Sequence, residues 1–214
     1  GIIKDGADCA NDAVNYAAYV ADLKNEDGTP VYARSCEDCQ SLPLAVDLYR
    51  QILAGEPDAS VTIASVGFST NLARLLETPA DEYSNLTGKE LVEKKVRRLV
   101  VMAGCMLNET SPEYNVTKDV PSARKVFSEW PTELVTSPFE VGINIVYPAK
   151  SIEEDFGWVD RHPMVEGYKA YQPMPHDRPT WDLTSVLYAV EGIEANGVPY
   201  FTVQGPGIID FDDA

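Results

Sequence analysis

The sequence predicts an α/β fold: an open, mostly parallel sheet with helices on both faces. Two short apolar runs, Val61-Thr62-Ile63-Ala64-Ser65-Val66 and Leu99-Val100-Val101-Met102, have the near-continuous pattern of strands buried on both sides. Segments with apolar residues at helical spacing alternate with these strands. No internal repeat or low-complexity linker interrupts the alternation, so residues 1–214 are expected to form one layered domain.

The elements follow in order. Asp12 to Leu23 carries Ala, Val and Tyr at helical spacing until Asp27-Gly28-Thr29-Pro30 breaks it. Leu44 to Leu53 is a second helix with Ala45, Leu48, Tyr49 and Ile52 on one face, closed near Gly55. After the strand ending at Val66 come helices over Thr70 to Leu76 and Gly88 to Val96, and then the second strand. Pro121 to Trp130 is a helix with proline in its first turn, and Glu133 to Thr136 is a third strand. Shorter helices are expected around Ile152 to Phe156, His162 to Tyr171 and Thr180 to Val190, with a last strand at Tyr200 to Val203.

Bulk properties narrow the function. A chain of 214 residues, 44% hydrophobic and 24% charged, can bury one sizeable core. Its 17 Lys and Arg against 34 Asp and Glu give a net charge of -17, which repels phosphate backbones and anionic membranes. Nucleic acid and membrane are therefore not expected partners, whereas clustered carboxylates suit a cation. No apolar run approaches the roughly 20 residues that span a bilayer, and no secretory leader is visible. A soluble protein is expected, cytoplasmic or secreted or periplasmic, and a homo-oligomer stays open. Cys36-Glu37-Asp38-Cys39 has no second pair at zinc spacing. Loop cysteines are the favoured reading, with a local disulfide and redox or metal chemistry as alternatives. Cys105 follows a buried strand and reads as a small apolar residue.

Three stretches carry chemistry. In Val66-Gly67-Phe68-Ser69-Thr70-Asn71 a strand runs into a turn and a helix start, and Gly67 leaves carbonyls near the strand end uncovered. Alone this is an ordinary strand-turn-helix with an N-cap. Glu113-Tyr114-Asn115 closes a loop after the second strand and offers the mixed acceptors and donors that vicinal hydroxyls need, although such a tripeptide also suits a surface loop. In Arg178-Pro179-Thr180-Trp181-Asp182, Thr180 can cap and Asp182 falls in the first turn of an apolar helix through Val186, Leu187 and Val190. The only histidines are His162 and His176; His176 is near enough in sequence to act as an acid beside Trp181, but loop and surface roles are favoured.

Together these stretches resemble the inosine-uridine-preferring nucleoside hydrolase family, calcium-dependent N-glycosidases that cut the ribose–base bond, over nearly the whole chain. The resemblance implies a Rossmann-like core lacking its first strand-helix units and a small nucleoside or ribosyl substrate. It assigns the Val66 backbone carbonyl and the Asp182 carboxylate to calcium, and Glu113 and Asn115 to the ribose, with Asn108 matched to a further ribose-binding asparagine. Trp181 stands where the family has a histidine that protonates the base; indole cannot do so, and stacking on the base is the alternative. A Trp-Asp pair here looks like a subfamily trait.

The family also keeps an Asp-x-Asp-x-x-x-Asp-Asp pattern near its N-terminus, and this chain has no proper copy. Asp5, Asp8 and Asp12 are expected in a solvated loop with a helix cap, and Asp210, Asp212 and Asp213 in a β-turn. The expectation is a segment cut at both ends, holding part of an active site, with calcium and its bound water belonging to the complete protein. The alternative is a non-catalytic nucleoside- or carbohydrate-binding module.

Overall fold

The two apolar runs and Glu133 to Thr136 do become neighbouring parallel strands. The computed structural model describes residues 15–33, 42–107, 111–209 and 211. In chain order these form α1 (Tyr16–Ala21), α2 (Ala45–Gly55), β1 (Val61–Ser65), α3 (Thr70–Glu77), α4 (Gly88–Lys95) and β2 (Val96–Val101). There follow α5 (Tyr114–Thr117), α6 (Val120–Glu129), β3 (Glu133–Thr136), α7 (Phe139–Ile143), β4 (Val146–Tyr147) and α8 (Ala149–Glu154). The last are α9 (Pro163–Tyr171), β5 (Arg178–Pro179), α10 (Trp181–Glu191), β6 (Glu194–Ala195) and β7 (Val198–Pro199).

The sheet order is β1-β2-β3, all parallel, with Ile63 beside Leu99 and Val100 beside Val135. Side chains alternate across β2. Leu99 and Val101 join Leu53, Leu75, Val92 and Val126 in the main core on the α2, α3, α4 and α6 side. Val100, fully buried but outside that cluster, faces the other side, where α10 covers it. Each fully buried Leu or Val contributes about 1.5–3 kcal/mol over an exposed one. Strand β2 begins at Val96, earlier than the apolar run suggests, because Arg97 and Arg98 extend the pleat in polar residues. A capping box between Thr87 and Glu90 starts α4, which passes into β2 without a loop.

Three expectations need correction. On α2, Leu48 and Ile52 are exposed, and the inward face carries Tyr49, Arg50 and Leu53. Arg50 is only 1% exposed because Asp81 grips its guanidinium with both oxygens, and the Thr78 hydroxyl and the Ser84 and Leu86 carbonyls take further N–H groups. The strand expected at Tyr200 to Val203 is not formed; a short β6–β7 hairpin precedes it, and the Tyr200 and Phe201 amides both donate to the Ile193 carbonyl. Third, the apolar residues Leu183, Val186, Leu187 and Val190 of α10 face outward, while Thr184, Ser185 and Tyr188 are buried.

Helix α10 runs antiparallel to the strands. Thr184 in its first turns bonds Ser137 just past β3, and one turn later the Tyr188 ring carries Arg98 from the start of β2, its guanidinium carbon 5.4 Å from the centroid. Its N-terminus therefore sits over the carboxyl ends of the strands. A close approach seats it there: a Cβ on Gly142 would lie 2.2 Å from the Trp181 Cα.

Two outcomes follow from this packing. Arg50→Leu leaves Asp81 and two carbonyls without their donor and is expected to cost about 3 kcal/mol in urea denaturation. In the parent, Arg50 holds the Asp81 carboxyl down at about 2 against its ordinary 3.8. That stability is present above about pH 4 and is lost as pH falls toward 2, so the fall in Tm across this window should flatten in the Arg50 variant. Gly142→Ala is expected to lower Tm by several degrees and to change Trp181 fluorescence; an unchanged spectrum would show that the approach does not seat α10.

Candidate functional site

The carboxyl rim of the sheet is held together by backbone bonds between successive strand ends. The Met102 amide donates to Ser65, the Ser137 amide to Val101 and the Phe139 amide to Gly104. Gly104 has a φ of +88°, a conformation that a side chain strains, and it turns the chain out of β2. Gly67, by contrast, is not left-handed; a Cβ there would meet open space, so its effect is to leave the rim above β1 uncovered.

Glu113 is 7% exposed and its carboxylate is occupied by backbone, accepting from the Gly104, Asn115 and Val116 amides at 3.1, 2.9 and 3.1 Å. It caps α5 and clamps the loop to the end of β2. Asn115 donates through Nδ2 to the Met102 carbonyl at 3.0 Å. The expected ribose pair is thus tied firmly to the rim, with the Asn115 carbonyl left as the side-chain oxygen without a protein bond. The Phe68 and Tyr114 rings, 5.9 Å apart, link this loop to the turn after Val66, which is 40% exposed.

Behind that turn, Ser69 is the N-cap of α3 but makes no side-chain cap bond, and Thr70 donates its hydroxyl to Asp119 at 2.5 Å. Burial works against ionisation of Asp119, yet the bonds from Thr70 and Ser122 outweigh it and hold the carboxyl below its ordinary range. The Asn71 Oδ1 is buried without a hydrogen-bond partner.

The third stretch arrives by pairing: β5 runs antiparallel to β4, with Arg178 beside Tyr147. Thr180 does not cap with its side chain; its hydroxyl and amide both donate to the Ile145 carbonyl at 2.9 Å. Thr184 donates to the Trp181 carbonyl at 2.8 Å, so in its 2.9 Å bond with Ser137 the serine is the donor. Trp181 stacks on Phe139 with centroids 5.6 Å apart and planes at 29°, and its Nε1 is buried without a partner. One ring face is therefore already covered, by a phenylalanine that no sequence signal marked. Asp182 keeps an exposed outer side, but surrounding protein desolvates the carboxyl and raises it, with Arg178 pulling the other way.

Val66, Asn115 with Glu113, and Asp182 accordingly occupy one rim, after β1, after β2 and at the start of α10, the helix that packs across β1 and β2. Asn108, Asp5, Asp8, Asp12, Asp210, Asp212, Asp213 and Cys9, Cys36 and Cys39 lie outside the described residues. Cys105 is a free thiol. Among the described residues no three His, Cys, Asp or Glu side chains gather as a metal site. Asp182 and one carbonyl fall short of the six to eight oxygens that calcium takes, so the described residues do not make a calcium shell.

No helix among the described residues is long and apolar enough to cross a membrane. No family model and no curated protein matches the sequence. A solved structure does: the inosine-uridine preferring nucleoside hydrolase from Bacillus anthracis, at a TM-score of 0.52 and 18% identity, over 70% of this chain. The chain spans 49% of that protein's length. At this identity the likeness shows the fold: a nucleoside hydrolase-like, Rossmann-like α/β sheet.

Proposed function

We propose that this chain is the ribose-facing part of an N-ribosyl hydrolase that cleaves the ribose–base bond of nucleosides. The observation that supports it is a bare acceptor and a bare donor on one rim, Asn71 Oδ1 and Trp181 Nε1, in the first turns of α3 and α10. Buried polar atoms are almost always bonded, and unsatisfied ones concentrate where a ligand completes them. Vicinal hydroxyls give and accept together and suit this mixture, with the Asn115 carbonyl and Asp182 beside it. The rim lies at the carboxyl ends of the strands, where open α/β sheets take their ligands. In this reading Asp182 and the Val66 carbonyl belong to a calcium site whose other ligands come from outside the described residues. A complete site of that kind would activate the attacking water.

Trp181 in the place of a histidine favours a second reading, a nucleoside-binding module without turnover. Calorimetry with inosine and 2′,3′-dideoxyinosine tests both. The hydroxyl-bearing nucleoside is expected to bind about 10²-fold more tightly, because the dideoxy compound leaves polar atoms unpaired. Equal affinities would remove the ribose assignment. Base release by the 214-residue chain during the titration favours the hydrolase over the module.

Asp182→Asn separates ligand binding from packing. Burial raises the Asp182 carboxyl, so its charge costs stability above its pKa and that cost vanishes as pH falls through it. The variant is expected to hold or raise Tm at neutral pH while weakening inosine at least tenfold. A collapse of the fold with no separate binding defect would mark Asp182 as a packing residue.

A further inference from the structure

Three Asn-x-Thr triplets occur in the sequence, Asn85-Leu86-Thr87, Asn108-Glu109-Thr110 and Asn115-Val116-Thr117, each the acceptor pattern for an N-linked sugar. Asn108 lies outside the described residues, and the structure separates the other two. Asn115 is half-buried in α5, and its Nδ2 is engaged by the Met102 carbonyl at 3.0 Å with the Met102 sulfur 3.2 Å away. A sugar on that nitrogen would have to enter the seam between α5 and the end of β2. Glu113 closes that seam by holding the Gly104, Asn115 and Val116 amides.

Asn85 stands in the opposite situation. Helix α3 starts beyond the carboxyl end of β1 and runs back, so the loop that follows it lies toward the amino ends of the strands, beside Lys94 and Lys95 just before β2. This loop is held from the inside. Asp81 accepts from the Tyr83 and Ser84 amides at 3.0 and 3.1 Å, and the Ser84 hydroxyl accepts from the Leu86 amide at 3.2 Å. Buried Arg50 donates to the Ser84 and Leu86 carbonyls at 3.2 and 2.9 Å. Both flanks of Asn85 are thus pinned while its own side chain is exposed, with no hydrogen bond to it among the described residues. Thr87 is also exposed, as the N-cap of α4.

We infer that Asn85 is a glycosylation site, the acceptor of an N-linked oligosaccharide, and that Asn115 is not one in the folded chain. The co-substrate is a lipid-linked oligosaccharide pyrophosphate, which the chain meets in a secretory lumen. In the transfer, Asn85 Nδ2 forms a bond to C1 of the first N-acetylglucosamine. The C1–O bond to the pyrophosphate breaks, and its electron pair leaves with the lipid pyrophosphate. Nδ2 gives up one of its two protons to the transferase. The new bond costs the fold no hydrogen bond, and the first sugar meets an open polar cleft of about 330 Å³, lined by Tyr83, Asn85 and Lys94 among others, rather than packed core.

The 214-residue chain, placed behind a secretory leader and produced in eukaryotic cells, tests the assignment. Trypsin leaves Asn85 alone on residues 75–89, whereas Asn108 and Asn115 share residues 99–118. Mass spectrometry is expected to find the 75–89 peptide carrying a glycan in both cell-retained and secreted chain, with peptide N-glycosidase converting Asn85 to aspartate. Asn115 is expected to stay unmodified in the secreted, folded fraction. Asn85→Gln and Thr87→Asp should each abolish the 75–89 glycopeptide; aspartate keeps an N-cap for α4, so the second variant retains the fold. A bare Asn85 in both fractions would overturn the inference. So would a glycan on Asn115 of the folded chain, or a 75–89 glycopeptide that survives either substitution.

Discussion

The seating of α10 on the carboxyl ends of the strands is the constraint on which the rest depends. Ser137 donates to Thr184, the missing side chain of Gly142 lets the Trp181 backbone close in, and Ile145 receives both the amide and the hydroxyl of Thr180. These contacts fix where Asp182 stands relative to the ends of β1 and β2. Were the helix to dock a turn lower or rotate, Thr184 would lose Ser137 and the third stretch would leave the rim that the other two share.

A second layer of order comes from backbone satisfaction. Glu113 binds three amides, Asn115 one carbonyl, and the strand ends bond to each other in series. Such a rim is rigid, which suits a site that must hold two hydroxyls at once. The buried side-chain polar atoms left without a partner among the described residues are Asn71 Oδ1, Glu140 Oε2, His176 Nε2, Trp181 Nε1 and Ser185 Oγ.

Much of the fold was legible because it rests on local pattern. The runs at Val61 and Leu99 and the short Glu133–Thr136 strand announce themselves by burial, and the helices by spacing, so the parallel sheet follows. The features that escaped depend on partners far along the chain. Arg50 looks like a surface residue until Asp81 is seen 31 positions on, and the face of α2 turns with it. The outward apolar stripe of α10 reads as a core face in any helical wheel; it is the hydroxyls of Thr184 and Ser185 that go inward. In the site, Asp182, Asn115 and Val66 could be located from strand ends and helix starts. Phe139 against Trp181, and the orientation of His176, depend on α7 and on the β4–β5 pairing, which leave no short-range signal.

The central claim is that three separated stretches face one ligand. Backbone amide shifts recorded while inosine is titrated into the chain test it most directly. The account predicts that Gly67, Asn115 and Asp182 move together along one binding curve, with residues at the opposite ends of the strands, such as Val96 and Glu133, unmoved. Shifts confined to one of the three stretches, or centred on the amino ends of the strands, would contradict it.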